Sequence, residues 1–431
     1  MLVAPPPQPV RGPDQITYRL NATWTQRTFT LAGTESIHFR NNGSGPLRVL
    51  WIRHWPNGWR PVGSGVASAG CRHALASLRV TAGGRVGRRA VGCTAYRVDL
   101  RHPVPRGRRG AVQVAFKVRV PPGDDRFART GPYANIGNAI PLLAVHDNRG
   151  WHLDGYSSTG ESFYSLNANW NVTLRVPKGI RAATTGNVVG RRRGVLLIRA
   201  RNARDFALAT GPFRTLTGRA GSVTVRVWAP RSMRPAVLRR SLSLARGALT
   251  AYQRDYGPYG APELDVVLGT FQAFGGMEYP QLVLSLPEFG PVRHEIAHQW
   301  FYGIVGDDQR HEPWLDESFA SWVEHDLSGF PDCPSPPVPT VPGVFLDSSM
   351  NVFDRRPERY GEIVYEGGSC ALEVLAHMLG HTTFRHMLKT YVADHRYGVT
   401  TKADFLAAVR DAAPPGFDVS AWARGVRLRV S

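Results

Sequence analysis

The chain has 431 residues, with 53 Lys and Arg against 33 Asp and Glu, for a formal net charge of +20. That length exceeds what one hydrophobic core usually serves and points to two domains. No run of eighteen apolar residues occurs, and the four cysteines form no CxxC pair. A membrane-spanning helix and a thiolate metal ribbon are therefore excluded.

The opening stretch, residues 1–13, is proline-rich and lacks the apolar core of a signal peptide; it resembles the linker that follows a removed one. The expectation is an extracellular or cell-envelope protein, with the cytoplasm as the alternative. From there to residue 229, apolar residues alternate with period two: Ile16, Tyr18, Leu20 and Ala22; Val112, Val114, Phe116, Val118 and Val120; Val172, Leu174 and Val176; Val223, Val225 and Val227. Such alternation predicts half-buried antiparallel strands. Cys71 and Cys93 bracket a strand–turn segment and are disulfide candidates, as are Cys333 and Cys370; buried reduced thiols are the alternative. The positive charge concentrates here. Residues 1–229 carry 34 Lys and Arg against 9 Asp and Glu, a net of +25, whereas residues 230–431 carry 19 against 24, a net of −5. A surface of that sign fits contact with a polyanion or the cell envelope, with nucleic acid disfavoured, or a solvated basic face with no partner.

Near 229/230 the period lengthens. Leu238, Leu242, Ala245, Leu249, Tyr252 and Tyr256 mark one stripe of a helix that ends at Gly257-Pro258, and an apolar strand follows over 264–268. Beyond a Gly-rich edge, helices are predicted over 292–304, 313–327, 364–379, 383–394 and 402–411, with a stiff proline-rich excursion at 331–342. The division is thus 1–229, a β domain, and 230–431, a mostly helical one.

The chemistry lies in the second part. His294-Glu295-Ile296-Ala297-His298 places two imidazoles four residues apart, on one face of a helix, where both can reach one ion while Glu295 sits at the adjacent edge. Hydrolytic zinc takes three protein ligands and leaves a position for water. Glu317, within Trp314-Leu315-Asp316-Glu317, supplies the third. A metzincin would need glycine and a further histidine where Phe301 and Ile304 and their successors stand. Glu324, seven residues after Glu317, shares its helix face and is a candidate acceptor for a ligand histidine's other N–H. His311, in a polar loop, and His325, out of helical phase, are read as bystanders. No Walker loop, dinucleotide fingerprint or GxSxG elbow is present; Gly155-Tyr156-Ser157-Ser158-Thr159-Gly160 misses the last by one residue.

The stretch HEIAHQWFYGIVGDDQRHEPWLDESFASWVEH resembles the aminopeptidase N family of gluzincin zinc metallopeptidases. Upstream, Gly275-Gly276-Met277-Glu278-Tyr279 is similar to that family's GxMEN exopeptidase motif; downstream, Tyr365-Glu366-Gly367-Gly368 is similar to its YxKG segment. The resemblance implies an α+β multidomain fold, with an N-terminal antiparallel β-saddle or sandwich ahead of a thermolysin-like mixed α/β, mostly helical catalytic domain. It implies one Zn2+ per chain on His294, His298 and Glu317. Glu295 would be the general base and Tyr365 the donor to the oxyanion, with Tyr360 a weaker companion. Gly275, Gly276, Met277 and Glu278 would bind substrate, with Glu278 on the free α-ammonium of a peptide. Asn138 is a further candidate for facing that amine. Two departures alter the expected contacts: Tyr279 stands where the family has asparagine, and Gly367 where it has lysine. The larger relatives' helical domain that roofs the active site does not follow within the sequence, so an open groove and endopeptidase action form one alternative. A polyanion-binding module carrying a non-catalytic zinc site forms another.

Overall fold

The computed structural model describes residues 10–59, 75–269, 271 and 274–430. Cys71, and with it the first disulfide expectation, lies outside the described residues.

The N-terminal alternation folds as expected into a large sheet. Its seven strands run in the order Asn187–Arg192, Val195–Ala203, Ala168–Arg175, Asp14–Thr25, Thr30–Arg40, Arg109–Arg119 and Ala76–Ala82. In Asp14–Thr25 the residues Ile16, Tyr18, Leu20, Ala22 and Trp24 are buried and their neighbours are not, because successive side chains leave opposite faces. One neighbour pair departs from the antiparallel expectation: Asp14–Thr25 lies parallel to Ala168–Arg175, with Ile16 opposite Ala168. Period two does not distinguish the two pairings, and a parallel partner requires a long crossover, here most of the domain. Tyr18 stacks on Trp170 across that pair with ring centroids 4.1 Å apart. Leu50, Ile52, Tyr96 and Val98 of a four-stranded sheet close the same core, making a sandwich.

A five-stranded sheet carries the second part, ordered Arg214–Ala220, Val223–Ala229, Glu263–Leu268, Leu282–Ser285 and Gly276–Met277. It straddles the 229/230 line. Val223, Val225 and Val227, grouped by sequence with the β domain, pack instead in the core beneath the helices. Alternation shows that a strand is half-buried, not which sheet it joins; a division by sheet falls between Gly211 and Arg214. Helix α1, Pro235–Tyr256, follows its predicted stripe and ends at Gly257, whose φ of 95° suits a residue without a side chain.

Helix α2 is Phe289–Ala297, and α3 is Trp314–Ser328. The periodicity that predicted a helix to 304 therefore overshoots α2. After His298 the N–H groups of Gly303, Ile304 and Val305 reach back five residues, to the carbonyls of His298, Gln299 and Trp300 at 2.8, 3.1 and 2.8 Å. This widened loop buries Trp300, Phe301 and Ile304 as a helix would, so their spacing mimics one. Similarly, the helix expected from 364 begins earlier. A short turn at Glu358–Tyr360 runs through a widened segment, Gly361–Gly367, into Gly368–Leu379. His381–Asp394, Lys402–Ala412 and Val419–Gly425 complete the helical layer.

Candidate active site

Helix α2 and the turn that leaves it bring both imidazoles to one point, with His294 Nε2 and His298 Nε2 3.0 Å apart. Helix α3, packed beside it, brings Glu317 Oε2 to 3.1 Å from the first and 3.2 Å from the second. Tetrahedral bonds of 2.0–2.1 Å place donor atoms about 3.3 Å apart, so these three atoms fit a zinc ion. The outer ring nitrogens are also held: His298 Nδ1 lies 3.0 Å from the Phe301 carbonyl, and His294 Nδ1 lies 3.6 Å from Glu324 Oε2. A proton on the outer nitrogen leaves the inner one as a lone-pair donor.

Electrostatics point the same way. Burial works against charge on both imidazoles, yet Glu317 pulls His294 well up and His298 up to about 9. Burial also opposes ionisation of Glu317, but His298 and His294 hold it well below the usual carboxylate range. The cluster is arranged to hold positive charge in a dry setting.

Glu295 leaves α2 at the adjacent edge and stays out of the donor cluster. Its carboxyl packs on the backbone of Gly276, where any Cβ would collide with it. Burial pushes this carboxyl up to about 8, with His294 and His298 opposing. Gly276 and Met277 form the edge strand of the five-stranded sheet, paired with Ser285 and Leu284, and Gly275 accepts the N–H of Leu286 at 2.8 Å. Glu278 follows directly. Gln309 Nε2 donates to Glu278 Oε1 at 2.9 Å and to Asp316 Oδ2 at 2.8 Å, locking the carboxylate in place.

Tyr365 sits in the widened helical segment with its ring stacked on that of His294, at 5.7 Å and 18°. Burial pushes its phenol well above the ordinary range, so at neutral pH it keeps its proton and can donate. Tyr360 meets it edge-on at 5.4 Å.

One cavity of about 470 Å³ is lined by all nine predicted site residues except the glycines' absent side chains, which contribute backbone. Its other wall was not foreseen: Arg126 and the loop 156–161, from the N-terminal part. Arg126 is paired with Glu161 at 2.7 Å, and both are buried. The near-elbow motif at 155–160 marked this loop for a different chemistry; nothing in its spacing signals a wall.

Other expectations change. Asn138 is buried away from the cavity, accepting from the Tyr279 hydroxyl at 2.8 Å and donating to Asp205 at 2.8 Å, so its amide is not free for a substrate amine. Tyr279 thus points at the β domain, over Gly137, where a Cβ would strike its ring. Gly367 packs against Pro337 and Val338 of the proline-rich excursion, which the Cys333–Cys370 disulfide ties to the helix. His325 lines the cavity but binds Ser369 Oγ at 2.9 Å through Nδ1. His311 lies elsewhere.

Residues 346–423 match the model of the peptidase family M1 domain. Among curated proteins, the chain is 26% identical over 202 residues to tricorn protease-interacting factor F2 of Thermoplasma acidophilum, covering 39% of this chain and 26% of that protein. It is 26% identical over 236 residues to aminopeptidase B of Mus musculus, covering 46% and 36%, and 27% identical over 241 residues to aminopeptidase N of Lactobacillus delbrueckii subsp. lactis, covering 48% and 29%. The matches thus span about a quarter to a third of these relatives. An M1 zinc metallopeptidase from Deinococcus radiodurans superposes with a TM-score of 0.66 at 18% identity, over 97% of this chain and 94% of that one. At such identity the likeness concerns the fold.

Proposed function

We propose that the chain is a peptidase of family M1, whose domain model matches residues 346–423, and that it acts as a zinc-dependent aminopeptidase, removing residues from peptides with a free N-terminus. The observation that carries this reading is the joint placement, in one cavity, of a three-donor cluster on His294, His298 and Glu317 with two further acids, Glu295 and Glu278. When bound, zinc supplies Lewis acidity and lowers the pKa of water.

The chain's own residues do the rest. Glu295, beside the donors and not among them, in the ionised form that a cation held on those donors would favour, takes the proton of the attacking water and returns it to the leaving amine. Tyr365 donates to the carbonyl oxygen as negative charge develops there. The edge strand Gly276–Met277 offers unpaired backbone along which an extended peptide can add. Glu278 then meets the α-ammonium and sets the first peptide bond at the donors. Glu161 adds a second acid to that end, its charge offset by Arg126.

The test compares aminoacyl reporters with their N-acetylated counterparts, with and without chelator, for wild type and Glu278→Ala. Chelator-sensitive hydrolysis of the free-amine substrate alone is expected, with that preference lost in Glu278→Ala. Equal cleavage of acetylated substrate by wild type would instead support an endopeptidase. Absence of chelator-sensitive hydrolysis would leave only a binding module.

We further propose a location outside the cytoplasm, which the Cys333–Cys370 disulfide supports, and contact of the basic N-terminal part with a polyanion. Retention on an anionic resin no stronger than that of a neutral protein would remove the second of these.

A further inference from the structure

A second histidine–carboxylate group lies at the seam between the two parts of the chain. His152 follows the strand Gly150–Trp151; Asp308 and His311 stand on the polar loop ahead of α3. One ring nitrogen of each histidine faces the same oxygen, Asp308 Oδ2: His311 Nδ1 at 2.8 Å and His152 Nδ1 at 3.4 Å. The other ring nitrogen of each faces a separate acid. His152 Nε2 lies 2.9 Å from Asp147 Oδ2, and His311 Nε2 lies 3.7 Å from Asp154 Oδ1. Metal-binding histidines ordinarily keep an acid or carbonyl near the outer nitrogen, and here a carboxylate stands near each one as an ion-pair neighbour without a formed hydrogen bond, much as Glu324 stands near His294. In addition, Asp308 Oδ1 is buried with no hydrogen-bond partner, on a side chain only 7% exposed.

A cation already approaches this point. Arg149 lies 3.4 Å from Asp308 Oδ2 and 3.9 Å from Asp147 Oδ2, but its side chain is 57% exposed and has room to withdraw. The His152 contact to Asp308 Oδ2, at 3.4 Å, is longer than any donor separation in the His294–His298–Glu317 cluster, where the longest is 3.2 Å, so a small closure accompanies binding.

We propose that His152, Asp308 and His311 form a second divalent-metal site, with Arg149 as the counter-cation that the metal displaces. Two imidazoles and one carboxylate favour zinc or a similar transition ion over calcium or magnesium. Water completes the coordination, since His311 is partly exposed. The bound ion clips the segment 146–152 to the loop 306–311. Gln309 of that loop holds Glu278, so the clip braces the cavity from outside.

The test is a metal count, independent of whether any peptide is cleaved. The full chain is stripped with chelator, titrated with zinc against a chromophoric competitor and analysed for bound metal. Wild type is expected to hold two zinc ions, and both His294→Ala/His298→Ala and His152→Ala/His311→Ala to hold one. Arg149→Gln, which leaves every ligand in place, is expected to tighten the weaker site about tenfold. Saturation of wild type at one ion, with none on His294→Ala/His298→Ala, would overturn the proposal. So would two ions on His152→Ala/His311→Ala, or no change in affinity for Arg149→Gln.

Discussion

At the His294–His298–Glu317 cluster two donors come from α2 and the turn that leaves it and the third from the neighbouring helix, with all three donor atoms within 3.2 Å. At the seam, His152 comes from the β-rich part, while Asp308 and His311 come from a loop more than 150 residues later, and His152 Nδ1 stands 3.4 Å from Asp308 Oδ2. The first is rigid because a helix sets the spacing and the protein interior surrounds it; His298 is 1% exposed in its side chain. The second depends on two segments meeting, and an exposed arginine, Arg149, shares it. Same ligand types, different scaffolds: a donor set on two packed helices is preorganised for chemistry, whereas one across a seam is suited to holding parts together.

The sharpest way to test that contrast is to remove chemistry from the catalytic cluster without removing its metal. Glu295→Gln should lower kcat about 10³-fold, since a positioned general base contributes roughly 10²–10⁴-fold. Zinc content should stay as in wild type, because Glu295 is outside the donor cluster. Loss of zinc in this variant would mean that the carboxylate is a ligand, and the comparison would break. Tyr365→Phe should cost less, about 10²-fold in kcat with KM little changed, as expected for one lost oxyanion donor. A change confined to KM would reassign the tyrosine to substrate binding.

How much of this was legible in the sequence follows the same division. His294, His298 and Glu295 were readable because helical geometry maps spacing directly onto space, whereas Glu317, on another helix, was reached through the need for a third ligand and the likeness of its surroundings to the gluzincin pattern. Their spacing survived even though the helix stops at Ala297, since His298 still occupies the next helical turn. The sheet was legible in its alternation but not in its partners, so Val223, Val225 and Val227 were grouped with the wrong sheet. Arg126 and Glu161 were invisible because their role exists only when a loop of the first part closes over the second. His311 stands outside the cavity, as expected of a bystander, and beyond its neighbour Asp308 it meets Asp154 and His152, contacts between residues far apart in sequence. Local periodicity encodes elements, whereas a seam is decided by packing.

The smallest effects concern the acids behind the histidines, and they sharpen the comparison most. Glu324 faces His294 Nδ1 at 3.6 Å with an 18% exposed side chain, and Asp154 faces His311 Nε2 at 3.7 Å with a 31% exposed one. Removing such an outer partner typically weakens metal binding about 10–100-fold. Glu324→Gln, measured in a His152→Ala/His311→Ala background, should weaken zinc about tenfold. Asp154→Asn, measured in a His294→Ala/His298→Ala background, should weaken it about threefold, because water near the more exposed histidine replaces the lost acceptor. Competition titration reads both. If the seam variant lost the more, burial would not be what strengthens the outer contact. The rigidity of α2 would then have to account alone for the tighter cluster, with His294 held in orientation by the helix and by the ring of Tyr365, whatever stands at position 324.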